Sequence, residues 1–393
     1  QSSLSQAKDS DETILANGLH ERPGAGGLSD WGVFITLFKG NCGTGIFFMP
    51  HSWKSGGYMF SAAAVWSVGA IALVSIRRLI KCRSQNPGSY GQVMELAIGH
   101  WGQRSIDVSI VLLEGGWVCT CLVTVAELMH KTVFPGAPVS FLICGAALAL
   151  APFAAIRKVS LLWPLNLAAF TLFSLGLAVV FGLLARQVFV AGALWNELEP
   201  FNSNGALVGF GTTCFMFEGI AVLLPTYDSS ANPDRFPLIA SLVLFIIMLL
   251  ATSFSLLGYF AFGAHVAPLV LLNLQLGWWQ DLIQIFIAIS IFCTIPLGLL
   301  PASRIVESIF FARIESPPLL RKCKKNMFRA GILFILAFIA MIASQSVDHF
   351  VSLVGAFCGV PITFVFPALC HKCLVPCSRF DKLLDLAIII FGL

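Results

Sequence analysis

Residues Phe38 to Gly57 read "FKGNCGTGIFFMPHSWKSGG". The stretch lies inside the first long apolar segment, where a membrane-spanning helix would run. Yet Lys39, Gly40, Asn41, Gly43 and Gly45 fall within seven residues, and Pro50 follows. Glycines loosen the backbone, and proline removes a helix donor. Lipid offers no partner to a freed backbone N–H or C=O. The stretch therefore reads as a spanning helix broken where it lines a polar cavity.

Composition agrees with a membrane setting. Of 393 residues, 57% are hydrophobic and 11% charged, against roughly 25% charged in soluble domains. Mean hydropathy is +0.86. The net charge of +4 comes with no basic cluster on a soluble domain, so no nucleic-acid partner is expected. Most of the 12 cysteines, among them Cys42, Cys119, Cys121, Cys144, Cys214, Cys293 and Cys358, fall in apolar segments and read as buried free thiols. Cys370, Cys373 and Cys377 form "CHKCLVPC" at a segment end. No second ligand pair accompanies them, so no metal is assigned. Residues 1–29 are polar and read as a disordered N-terminal tail ahead of a transmembrane domain, 30–393.

A spanning helix needs roughly 20 mostly apolar residues. Ten such segments run at about 31–55, 58–80, 104–130, 138–156, 159–185, 205–227, 236–262, 278–303, 328–344 and 349–370. A partial eleventh covers 382–393, and 89–103 reads as a short amphipathic lead-in. With the N-terminus in the cytoplasm, 20 of the 24 Lys and Arg lie on the inner side and 3 on the outer. Lys39 lies within a span. That skew is the positive-inside signature. Eleven spans exclude a seven-helix receptor and exceed a simple channel subunit. The enzyme motifs G-x-S-x-G, H-E-x-x-H and the P-loop are missing, so no enzyme is expected.

The sixth span, "GALVGFGTTCFMFEGIAVLLPTYD" (Gly205 to Asp228), is interrupted in the same way, with Glu218 at its middle. "GIFFMP" (Gly45 to Pro50) and "GIAVLLP" (Gly219 to Pro225) match. Spans one and six thus hold corresponding places in two five-helix repeats, about 31–185 and 205–370. An odd number of spans inverts the second repeat. Interruptions in matching spans point to a transporter site at the midplane. Freed N–H groups at the start of a half-helix suit a carboxylate. Freed C=O groups at the end of another suit an ammonium, and an amino acid carries both.

"LFKGNCGTGIFFMP" resembles the first-helix signature of the amino acid/auxin permease family, in particular of its proton-coupled amino acid transporters. "FEGIAVLLP" resembles the sixth-helix signature and "TIPLGLLPASRIVE" (Thr294 to Glu307) the eighth. The resemblance covers roughly residues 30 to 393. It implies an all-α polytopic membrane protein with a LeuT-like 5+5 inverted repeat and an eleventh helix. It also implies symport of small amino acids with protons, or with sodium in some branches, by a monomeric unit without a cofactor. Gly43, Thr44 and Gly45, flanked by Asn41 and Cys42, would present N–H groups to the substrate carboxylate. Carbonyls around Cys214, Phe215 and Phe217 would meet its ammonium, with a Phe as gate or pocket wall and Thr294 from the eighth helix. Cys42, the pair Phe47-Phe48, and the acids Glu114 and Glu127 depart from the usual pattern.

Charges inside a membrane are costly and as a rule paired or functional. Glu218 is the first candidate for a proton carrier. Lys39 is either a fixed cation standing in for sodium or tuning Glu218, or half of a static salt bridge with it. Glu114, beside Gly115-Gly116, is a third candidate in coupling. Rival readings are an amino-acid sensor of the same fold and a sodium-coupled or uncoupled carrier. The expected setting is the plasma membrane or an acidic lysosome- or vacuole-type organelle.

Overall fold

Long apolar runs with few breakers make long helices, and glycines and prolines set where they stop. The computed structural model describes residues 27–156, 159–274, 277–311 and 318–393. The expected tail lies outside these up to residue 26, as do Arg157, Lys158 and Arg313 of the charge count.

Helix α1 (Asp30–Asn41) starts at Ser29, whose hydroxyl accepts from Gly32 N–H at 3.2 Å, a side-chain cap for an otherwise unpaired donor. It ends before Cys42, and α2 (Gly45–Gly56) continues at a 43° bend. Then follow α3 (Tyr58–Gln85), α4 (Tyr90–Ile98), α5 (His100–Thr132), α6 (Val139–Ala154) and α7 (Val159–Ala191). The second interruption separates α8 (Ala206–Met216) from α9 (Ile220–Asp228). The chain continues through α10 (Phe236–Phe262), α11 (Trp278–Phe311), α12 (Pro318–Ala343), α13 (Val347–Val354), α14 (Phe366–Leu374) and α15 (Arg379–Gly392). Two wide π-type turns, Gly355–Gly359 and Pro361–Val365, join α13 to α14. Such turns inside helices often mark functional places.

Several boundaries differ from the hydropathy reading. The second span continues to Gln85, the eighth to Phe311, and the ninth begins at Pro318. Hydropathy marks the lipid-facing length, whereas the helix continues past it into polar sequence. The lead-in at 89–103 is a separate helix, α4, started by a reciprocal Ser89–Gln92 capping box. Gly99, at φ 78°, then turns the chain into α5. Cys144 is exposed on α6 rather than buried.

Among the described residues, seven helices are long and apolar enough to cross a membrane, or eight with the bent α1–α2 pair. One of the seven is a 53-residue run, Lys322–Leu374. At 1.5 Å per residue it would extend about 80 Å, more than twice the ~30 Å hydrocarbon core. A 3₁₀ turn at Ser344–Ser346 divides it into two crossings. The 16-residue α6 completes the ten spans, with α15 last. Four spans of the first repeat pack on their counterparts five further on: α3 on α10, α5 on α11, α6 on α12, and α1–α2 on α8–α9. This interlocking suits two inverted repeats.

Some of the cations expected on the inner side hold the helices together. Arg78, buried on α3, pairs with Asp385 of α15. Arg83 pairs with Asp228 at 2.8 Å. Arg329, buried on α12, bonds Glu307 at 2.5 Å and the carbonyls of Ala154 and Ile156 at 3.3 and 3.1 Å. It therefore closes the end of α6, where helix carbonyls lack partners. At the opposite end, Lys131 donates to the carbonyls of Leu271, Leu272 and Leu274.

Ahead of α1, Leu28 bonds along the loop after α9. Its N–H donates to Ser229 O at 2.6 Å, and Ala231 N–H donates to Leu28 O at 3.0 Å. Asp30 adds bonds from Asn232 and Arg235 at 2.9 and 3.2 Å. The far ends of both broken spans are thereby tied together.

Candidate binding site where two broken helices cross

The two interruptions face each other because glycine allows it. A Cβ on Gly45 would sit 3.3 Å from Met216 Sδ and 3.5 Å from the Phe215 ring. Gly219 lies so close to the Asn41 amide that a side chain there would overlap it. A Cβ on Gly43 would lie 3.2 Å from Trp117 Nε1. Gly219 thus needs to be glycine for close approach rather than for turning, while Gly43 and Gly45 sit in tight side-chain contact.

The freed backbone groups are partly reused. Phe47 N–H returns to Thr44 O at 3.0 Å, and Cys42 N–H to Phe38 O at 2.6 Å. The amides of Gly43 to Ile46 precede the first complete turn of α2, where no helical carbonyl faces them. In the second break, Phe217 N–H donates to Cys214 O at 3.1 Å, and Glu218 N–H to Phe215 O at 3.4 Å. The carbonyls expected to be free at Cys214 and Phe215 therefore each hold one bond and keep one lone pair.

A cavity of about 20 Å³ at the crossing is lined by Lys39, Gly40, Glu114, Trp117, Glu218, Gly219, Val222, Thr294, Leu297 and Gly298. That is the room of one water. Four expected site residues line it: Lys39, Glu114, Glu218 and Thr294. Asn41 and Thr44 are buried at its edge; the Thr44 hydroxyl lies 4.0 Å from Cys121 Sγ. Cys42, Cys214, Phe215 and Phe217 are buried in the surrounding core.

Lys39 and Glu218 line the same cavity without forming an ion pair among the described residues. Lys39 Nζ donates to Ser290 Oγ at 3.3 Å and lies 4.2 Å from the centre of the Phe173 ring. Ser290 in turn donates to Ala169 O at 2.6 Å. The ammonium is thus seated between α1, α7 and α11. Glu218 Oε2 and Asn41 Oδ1 are buried without a hydrogen-bond partner. Buried polar atoms of this kind call for an occupant.

Trp117, Phe173, Ser290 and Gly298 were not among the sequence candidates. Trp117 had a signal, since it stands three residues after Glu114 and so shares its helix face. Ser290 and Phe173 had none, because only the fold brings them to Lys39.

The helices and their two matching breaks define a multi-pass membrane protein with a LeuT-like fold. A solved structure of a Na+-coupled sialic acid symporter in a substrate-bound outward-open state superposes with TM-score 0.60 at 14% identity, covering 92% of this chain and 88% of that one. The model for the family "Transmembrane amino acid transporter protein" matches residues 26–393, and the chain belongs to that family. The chain is 29% identical to vacuolar amino acid transporter 4 of Saccharomyces cerevisiae, over 92% of this chain and 56% of that protein. It is also 29% identical to vacuolar amino acid transporter 3 of Schizosaccharomyces pombe, over 91% and 55%. The chain thus spans about half the length of these relatives.

Proposed function

We propose that the chain moves small amino acids across a vacuole-type membrane by proton symport, alternating access around the crossing of the two broken spans. The observation that carries the reading is the pair of unsatisfied acceptors at the crossing of the two breaks: Glu218 Oε2, in the cavity lining, and Asn41 Oδ1, against Gly219. The amides of Gly43, Thr44 and Gly45 receive the carboxylate. Asn41 Oδ1 and the remaining lone pairs at the end of α8 receive the ammonium. Glu218 carries the coupling proton, with Glu114 as a second acid in the same cavity. Lys39 is the fixed cation between α1 and α11, and its charge does the work a sodium ion does in a sodium-coupled carrier. The Lys and Arg skew supports a cytoplasmic N-terminus. The cavity must widen to admit an amino acid, so a helix movement precedes binding.

The names of the fungal relatives support the substrate class and the membrane. The deciding experiment is radiolabelled amino-acid uptake by purified protein in proteoliposomes under an imposed pH step, with and without sodium. Concentrative uptake driven by the pH step alone supports the reading. A requirement for sodium overturns the coupling. Binding without uptake or counterflow overturns transport and leaves a sensor.

A further inference from the structure

A second cluster of chemistry lies away from the crossing, where α3, α14 and α15 meet. His371 on α14, Cys377 in the loop after it and Asp385 on α15 offer ligand atoms that all lie within 4.8 Å of one another. Their chemistry is imidazole, thiol and carboxylate, the donor set that zinc takes. Sequence spacing alone hides the site, because "CHKCLVPC" has no second ligand pair beside it. The fold supplies the missing donor from the next helix.

We propose that His371, Cys377 and Asp385 bind a single zinc ion. The separations suit one. With Zn–S near 2.3 Å and Zn–N near 2.0–2.1 Å, tetrahedral ligands sit roughly 3.5 Å apart. Cys377 Sγ lies 3.6 Å from His371 Nδ1. His371 Nδ1 lies 2.9 Å from Asp385 Oδ2, so that pair opens by a few tenths of an ångström to admit the ion. Cys377 also holds its sulfur 3.8 Å from Nε2 and bonds Val375 O at 2.8 Å, so zinc binding requires the thiolate to leave that carbonyl and move towards the ring plane.

The surroundings are those of a supported metal site. Arg78 bonds the other oxygen of Asp385 and holds the carboxylate in place, the kind of outer contact that orients ligands. His371 and Asp385 are buried, while Cys377 is only half-buried and leaves a way in for the ion. Zinc here staples α15 to α14. The site is independent of the transport reading.

The test uses the full chain, purified in detergent under reducing conditions and stripped with a chelator. It is titrated with Zn2+ alone by equilibrium dialysis, then with Co2+, whose thiolate charge-transfer absorption reports a bound cysteine. Wild type binds one zinc per chain, gains thermal stability from it and shows the cobalt band. C377S loses the band and the zinc-dependent stabilisation. H371N, which keeps a donor towards Asp385, weakens zinc by more than about 100-fold, beyond the loss typical of a supporting residue. C373S, altered at an exposed cysteine of the same motif, behaves as wild type. All variants are checked for a normal melting profile without metal. Wild-type protein that retains no zinc above the free-ion level overturns the proposal. So does a cobalt band that survives C377S, whichever thiol then supplies it.

Discussion

Trp117 is wedged between two glycines, and this makes Gly298→Ala an informative substitution. A Cβ at Gly298 would stand 2.5 Å from the Trp117 ring and 2.9 Å from Glu114 Oε2. Real Cβ atoms essentially never approach that closely. On its other edge the indole faces Gly43, where even an added Cβ would lie 3.2 Å from Nε1, so the ring has room for a small shift only. Overpacking of this kind costs about 1–3 kcal/mol. If the cost falls on the closed arrangement alone, it shifts the conformational equilibrium by roughly 5- to 150-fold. The added methyl also claims space in a cavity of about 20 Å³. The expectation is a lower melting temperature in detergent and uptake reduced at least several-fold. Trp117→Phe placed on top of Gly298→Ala removes one ring and recovers part of the stability. Wild-type uptake and melting for Gly298→Ala refutes the reasoning. So does a double variant no more stable than Gly298→Ala, since the strain would then lie elsewhere.

Other expectations follow from which charges are paired. Glu218→Gln abolishes accumulation driven by a pH step yet keeps counterflow exchange in proteoliposomes; retained pH-driven accumulation rules out Glu218 as the carrier. Lys39→Met leaves no stranded anion, because Lys39 has no ion-pair partner among the described residues, so melting in detergent should stay near wild type or rise. Arg329→Met does cost one its nearest partner: Glu307 loses the 2.5 Å bond and is left with the longer Lys325 contact at 3.8 Å, and two carbonyls near the end of α6 lose their donor. Its expected cost is about 3–5 kcal/mol, against about 1–3 kcal/mol for Glu307→Gln, which keeps an acceptor; the reverse order in unfolding measurements contradicts this account. Arg235→Ala removes an exposed pair with Asp30 and should change stability by less than ~1 kcal/mol.

The breaks were legible because glycine and proline are the residues that spell them, and matching interruptions five spans apart carry the repeat. Glu114, Glu218 and Lys39 were legible because a charge in an apolar run has few ordinary uses. The seat of Lys39 was not, since Ser290 and Phe173 lie on other helices at long sequence separation. Nor was the partial closure of the second break by the Cys214 and Phe215 carbonyls, which depends on backbone angles rather than residue identity. Arg78 counted as an inner-side cation by position, yet its charge is held by Asp385 on the last helix. Charge counting detects where a residue falls along the chain and not what it touches.

The backbone pairing of Leu28 with Ser229 and Ala231 has a mechanical meaning. Residues immediately ahead of α1 are coupled to the loop beyond α9, so the two half-helices nearest that end share one handle. A force, a modification or a binding protein acting on the chain before residue 27 would be transmitted to both broken spans at once. A label at Leu28 would travel with them, and its distance to a label on α6 or α12 is the coordinate along which the cycle should be followed.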